Sequence, residues 1–158
     1  MIREATEEDI PRVLEIEREA ISPPWTHGAL LSEMYSTATY FAVVPFAHEG
    51  SSPQGRGLSI PPSHILGFII MRRAADEGEL YQVAVDAAHR RQGIADELME
   101  AALVWAHDCG IASIYLEVRK SNEAAIALYA KHGFIQVGFR KEYFTEPFED
   151  AVVMVNKK

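Results

Sequence analysis

The stretch Tyr81-Gln82-Val83-Ala84-Val85-Asp86-Ala87-Ala88-His89-Arg90-Arg91-Gln92-Gly93-Ile94-Ala95 reads as a strand, a basic loop and the opening of a helix. The first turn of a helix carries backbone N–H groups with no intrahelical partner, and that terminus attracts anions. Gly93 lets a ligand approach the backbone closely, and Ala95 adds little bulk, so the loop suits a pyrophosphate. The plainer alternative is a strand-to-helix turn with two solvated arginines. Other phosphate cradles fit worse. G-x-x-x-x-G-K-[ST] is absent, and Gly55-Arg56-Gly57 lacks the third glycine of a dinucleotide fingerprint.

Glu117 is the second residue that invites chemistry. In Ile114-Tyr115-Leu116-Glu117-Val118, alternation puts Ile114, Leu116 and Val118 on one face and the carboxylate on the other. A carboxylate in an apolar strand is costly unless it is hydrated, paired or used. A salt bridge to Arg119, on the same face, is the pairing alternative. Tyr129 shares a helical face with Ala125 and Leu128, the pattern of a core tyrosine with its hydroxyl satisfied. Asn122 stands where a helix N-cap belongs. Cys109 has no basic neighbour except His107 and reads as structural. His27, His48, His64, His89, His107 and His132 show no ligand spacing, so no metal is expected.

Periodicity and punctuation outline the scaffold around these residues. Ile2 to Ala5 fits a short strand. Asp9, before Pro11, is the favoured cap of a helix whose apolar side is Ile10, Val13, Leu14 and Ile21, with Glu17 the polar exception. Ser22-Pro23-Pro24 ends it, and Thr26 caps a second helix faced by Leu30, Leu31 and Met34. Tyr40 to Val44 predicts a strand, and Pro45 to Ser63 a flexible insertion. Ile65–Met71 and Glu79–Val85 predict a hairpin turning at Asp76-Glu77-Gly78. Helix Gly93–Cys109, strand Ala112–Val118 and helix Asn122–His132 come next. Strands Phe134–Lys141 and Ala151–Val155, joined by an aromatic-rich loop, close the chain. The sum is an α+β domain over residues 1–158: a mixed, mostly antiparallel central sheet flanked by helices.

Composition bounds the function. The chain has 158 residues, 48% hydrophobic, with a net charge of −8, which argues against a duplex nucleic-acid binder. One cysteine excludes a disulfide framework. No apolar run reaches the ~18–20 residues of a membrane span, and Met1-Ile2-Arg3-Glu4-Ala5 is too charged for a signal peptide. A cytoplasmic domain is the expectation.

Arg91-Gln92-Gly93-Ile94-Ala95 resembles the pyrophosphate loop R/Q-x-x-G-x-G/A of the GCN5-related N-acetyltransferases. Leu116-Glu117-Val118-Arg119-Lys120-Ser121-Asn122, running on to Leu128-Tyr129 and Gly133-Phe134, resembles the signature of the RimI-type ribosomal-protein alanine N-acetyltransferases. Ile16-Glu17, Pro24-Trp25, Arg140-Lys141-x-Tyr143 and Glu149-Asp150-Ala151 match as well. The resemblance implies acetyl-CoA as co-substrate and no metal. It implies cofactor contacts at Val83, Ala84, Val85, Arg91, Gln92, Gly93, Ile94, Ala95, Asp96 and Asn122. It implies Glu117 as general base, Tyr129 as general acid, and Pro24, Trp25 and Tyr143 as acceptor contacts. Many relatives carry Tyr-Tyr where this chain has Tyr143-Phe144, so a contact needing the second hydroxyl is lost. The implied acceptor is a protein N-terminus, alanine or serine of a small-subunit ribosomal protein, with no direct nucleic-acid partner and a monomer or weak dimer as the assembly. A small-amine acetyltransferase of the polyamine or aminoglycoside type and a non-catalytic acyl-CoA sensor are the alternatives.

Overall fold

The computed structural model describes residues 1–46 and 64–157. A seven-stranded sheet holds β1 (Arg3–Glu4), β2 (Thr39–Pro45), β3 (Ile65–Ala74), β4 (Glu77–Val85), β5 (Ser113–Arg119), β6 (Ile135–Phe144) and β7 (Glu149–Lys157). Their spatial order is β1-β2-β3-β4-β5-β7-β6. Every neighbouring pair is antiparallel except β4 and β5. The helices are α1 (Ile10–Ala20), α2 (His27–Tyr35), α3 (Ile94–Asp108) and α4 (Glu123–Lys131).

Strand alternation feeds two cores, one on each face of the sheet. Phe41 and Val43 pack with Ile10, Val13, Ile16 and Leu30 of the first two helices. Ala42 and Val44 face the other way, with Leu98, Met99 and Ala102 of α3 and Tyr129 of α4. The mixed, mostly antiparallel sheet expected from sequence is the sheet observed.

Several local expectations shift. Asp9 precedes α1, but its carboxylate does not cap it. It accepts from the Thr6 N–H at 2.8 Å and from both terminal nitrogens of Arg3, at 2.7 and 2.8 Å, because a guanidinium fork satisfies both carboxylate oxygens at once. The β3–β4 turn is Ala75-Asp76, since Ala74 already pairs with Glu77, and β4 starts there rather than at Glu79. Ala75 adopts a φ of +55°, the tight-turn conformation. Pro45 is the last residue of β2, and the Phe46 N–H bonds the His64 carbonyl at 2.8 Å. The rest of the expected insertion, 47–63, lies outside the described residues. The aromatic segment after Lys141 is strand as far as Phe144.

Two irregularities open the sheet near its middle. The parallel ladder between β4 and β5 consists of Glu77–Glu79 against Ser113–Tyr115; beyond it the strands separate. On its other edge β4 stays paired with β3 through Val83, Ala84 and Val85. The register between β3 and β4 slips around Tyr81, leaving that residue without a partner, the mark of a β-bulge.

Candidate active site

Glu117 sits on β5 where the strands part. Its neighbours Leu116 and Val118 are buried, as alternation requires, and its own side chain is 18% exposed. The carboxylate pairs with Arg140 Nε at 2.8 Å and accepts from the Tyr143 hydroxyl. Arg119, the pairing alternative from sequence, is engaged elsewhere. Its guanidinium donates to the carbonyls of Ser22 at 2.6 Å, Thr145 at 2.9 Å and Pro147 at 2.9 Å, and meets Glu149 at 3.4 Å. Several fixed acceptors suit a planar fork better than one shared carboxylate.

Two cavities meet at Glu117. One, about 170 Å³, is bounded by Gln82, Val83, Glu117, Asn122, Tyr129 and Phe144. The other, about 330 Å³, is bounded by Glu79, Tyr81, Tyr115, Glu117 and Arg140. Tyr81, the bulged residue, borders both.

Tyr129 is 8% exposed, with its ring against Phe134 at 6.0 Å between centroids. A core tyrosine would have its hydroxyl satisfied, yet the phenol bonds no protein group among the described residues and opens on the smaller cavity. Burial pushes it up to about 12, so it remains a proton-bearing donor across the physiological range. Asn122 caps α4 by accepting from the Ala125 N–H at 3.1 Å while also bordering that cavity.

The loop expected to hold an anion leads into α3 through Arg91 and Gly93. Gly93 caps α3 with φ of +81°, and a Cβ added there would meet no protein atom. Arg91 is also left-handed, at +61°. The Glu97 N–H bonds the Gly93 carbonyl as the first helical bond, leaving the N–H groups of Ile94, Ala95 and Asp96 pointing out of the turn. That open cradle fits the pyrophosphate of acetyl-CoA, with exposed Arg91 and Gln92 beside it. Asp96 would oppose an anion by charge, but its carboxylate is turned to α4. It meets Lys131 Nζ at 2.9 Å and His132 Nε2 at 2.8 Å, contacts that hold it below the usual carboxylate range. The β4 edge at Val83–Val85 is unpaired toward β5, although the Val85 carbonyl accepts from Arg90 Nε at 3.3 Å.

Among the expected acceptor residues, Tyr143 is brought to Glu117. Its phenol is raised to about 12, mainly by that hydrogen bond and then by burial. Phe144 stacks edge-on against it at 5.1 Å and lies under the Arg119 guanidinium at 4.7 Å. Trp25 reaches the site at one remove, its ring edge-on to Tyr81 at 5.4 Å. Pro24, exposed, lies in the same segment.

Glu17, the polar exception of α1, is fully buried. Its Oε1 accepts from the Trp25 N–H and lies 3.5 Å from Gln82 Nε2, while its Oε2 and Gln82 Oε1 have no partner. Burial raises the carboxyl above its ordinary value. Sequence does not single out Tyr81 or Arg140 as a site residue. A bulge leaves no periodic signal, and Arg140 reaches Glu117 only through the pairing of three strands.

Among the described residues no group of side chains could hold a metal ion, and no helix is long and apolar enough to cross a membrane. Comparison with known proteins gives the family. The chain is 32% identical over 157 residues to a [ribosomal protein bS18]-alanine N-acetyltransferase of Haemophilus ducreyi, covering 98% of this chain and 97% of that one. It is 31% identical over 148 residues to the Escherichia coli strain K12 enzyme of the same name, covering 92% and 89%. The crystal structure of the ribosomal-protein-S18-alanine N-acetyltransferase from Escherichia coli superposes with a TM-score of 0.80 at 29% identity, covering 99% and 92%. Residues 10–134 match the Acetyltransferase (GNAT) family model. A sheet parted beside a glycine-opened helix, together with these relatives, places the chain in the GNAT family of acetyl-CoA-dependent N-acetyltransferases.

Proposed function

We propose that this acetyltransferase modifies the α-amine of a protein N-terminus, with an N-terminal alanine or serine of a small-subunit ribosomal protein as the class of acceptor. The observation that carries the reading is that Glu117 and Tyr129 border one cavity of about 170 Å³ at the opening between β4 and β5. The acceptor reading draws support from the bS18-alanine N-acetyltransferases to which the chain is similar. Tyr143, at Glu117, supplies a hydroxyl beside the amine site.

In this reading the thioester of acetyl-CoA supplies the acetyl group. The pyrophosphate rests on the N–H groups of Ile94, Ala95 and Asp96, and the β4 backbone at Val83, Ala84 and Val85 lines the route to the cavity. Arg91, Gln92 and Asn122 complete the cofactor contacts. Tyr143 borders the acceptor, and Trp25, preceded by Pro24, lies behind Tyr81 on the acceptor's side. An N-terminal ammonium titrates near pH ~8, so transfer of one proton to Glu117, directly or through a water, yields the free amine. The amine nitrogen bonds to the carbonyl carbon, and the carbon–sulfur bond breaks with its electron pair leaving on sulfur. The surplus proton on the new amide nitrogen passes to solvent, which restores to Tyr129 any proton it gives to sulfur. Tyr129 meets that charge as a hydrogen-bond donor. Burial raises the phenol, so complete transfer ahead of bond cleavage is unfavourable. Its proton therefore follows the sulfur only as charge develops there. No acyl-enzyme is required.

A mass-spectrometric screen of peptides with free and blocked N-termini against acetyl-CoA tests the acceptor. Acetylation at free N-termini is the expected result. Acetylation of internal lysines alone, or of polyamines and aminoglycosides alone, overturns it, and no transfer to any amine identifies an acyl-CoA sensor.

A further inference from the structure

Arg119 has a bonding pattern that neither the amine chemistry nor the cofactor cradle explains. Its side chain is 16% exposed, and its donors are spread over two chain segments remote in sequence. Nη2 donates to Ser22 O in the segment after α1, at 2.6 Å, and to Thr145 O between β6 and β7, at 2.9 Å. Nη1 donates to Pro147 O of that same connection at 2.9 Å. The guanidinium face lies over the Phe144 ring. The two segments have one further link, Ser22 Oγ donating to the Glu146 carbonyl at 2.7 Å. Glu149, which anchors the start of β7 by accepting from the Ser121 N–H at 2.6 Å, also meets Arg119.

Both segments lead to the Glu117 site. The one after α1 continues to Trp25, whose ring backs Tyr81. The other follows the end of β6, whose last residues are Tyr143, which bonds Glu117, and Phe144, which stacks on it. Ser22, Arg119 and Phe144 all border the cavity that Glu117 and Tyr129 share. A guanidinium suits this task because it offers five donors in a fixed plane, whereas an ammonium delivers its donors from a single point.

We propose that Arg119 is a positioning residue for the acceptor, clamping the segment after α1 to the β6–β7 connection so that both flank Glu117 as one preformed mouth. The inference rests on the peptide reading of the acceptor. A preformed mouth lowers the cost of ordering the chain that enters it, so its loss falls on acceptors long enough to touch both segments. A minimal amine such as alaninamide reaches Glu117 without them.

The test compares wild type, Arg119→Lys and Ser22→Ala, using an alanine-initiated hexapeptide and alaninamide as acceptors and calorimetry for acetyl-CoA. Arg119→Lys is expected to raise the hexapeptide KM by about tenfold while changing kcat by less than about threefold. Its alaninamide kcat/KM and acetyl-CoA affinity should stay within about twofold of wild type. Ser22→Ala removes only the Ser22–Glu146 link and should raise the hexapeptide KM in the same direction by less. It also keeps the inference testable if the lysine variant fails to fold. Equal losses on both acceptors, or an unchanged hexapeptide KM in both variants, would overturn the clamp. A wild type that acetylates alaninamide but no hexapeptide would overturn the peptide reading and the clamp together. Failure confined to the variants leaves the peptide reading standing.

Discussion

The Tyr143 hydroxyl donates to the Glu117 carboxylate, which Arg140 Nε also engages at 2.8 Å. The carboxylate is thus supplied with donors before any amine arrives, and an entering ammonium takes its place among them. Glu117→Gln removes the anion and keeps the shape. Turnover should fall by ~10²–10⁴ if Glu117 is the base, with acetyl-CoA affinity unchanged. The same variant should lower the Tyr143 ionisation from about 12 toward the ordinary phenol value, because the carboxylate's charge is gone and the hydrogen bond to it is weakened. Alkaline ultraviolet titration, with Tyr143→Phe as the background, reads that shift. Near wild-type turnover at neutral pH would remove Glu117 from the chemistry.

Tyr129→Phe deletes one oxygen and leaves the ring packed on Phe134. Because the phenol has no protein partner, melting temperature should hold, with at most ~1 kcal/mol lost. Acetyl-CoA should still bind, and turnover should drop by at least about tenfold in the chemical step. Preserved turnover with a lowered melting temperature would make Tyr129 a core residue.

Gly93→Val places a β-branched side chain at φ of +81°, where the protein leaves open space but L residues are strained. The added methyls fill the cradle itself. Acetyl-CoA affinity measured by calorimetry should weaken by at least about tenfold, ~1.4 kcal/mol. Unchanged affinity would move the pyrophosphate away from this loop.

Glu17 gives a pH dependence whose sign can be worked out. Its folded carboxyl is raised by burial, so the proton is held more tightly in the native state than in the unfolded chain. The stability this contributes is fully present below the ordinary ~4.3 of a free glutamate and is lost as pH rises through the raised folded value. Glu17→Gln does not titrate and still offers an acceptor to the Trp25 N–H. The melting temperature of the variant relative to wild type should therefore climb across that window. A difference that stays flat with pH would show that the buried group does not titrate there.

Elements and their order are legible in the sequence because they depend on local pattern. The alternation at Ile114–Val118 correctly puts Glu117 opposite the buried positions, and Asn122 caps its helix as its position predicts. Partners are not legible. Arg140 on β6 pairs with Ala151 on β7, which pairs with Arg119 on β5. The side chain that reaches Glu117 is thus fixed by two registers and not by spacing along the chain. The bulge at Tyr81 has the same character, since it exists only relative to β3. Asp9 departs from the capping expectation for a related reason: it is bonded to Arg3 of β1, a competitor that a local capping rule does not see.

The parting of β4 from β5 makes the sheet two plates riveted at one end by three residue pairs. β1 to β4 form one plate and β5 to β7 the other, and beyond Glu79 and Tyr115 no strand pairing joins them. A molecule lying in that seam and bonding the β4 edge takes the place of the missing strand. Its binding then adds to the cohesion of the whole domain, and resistance to heat rises with the concentration of the acetyl donor, by mass action on the folded state.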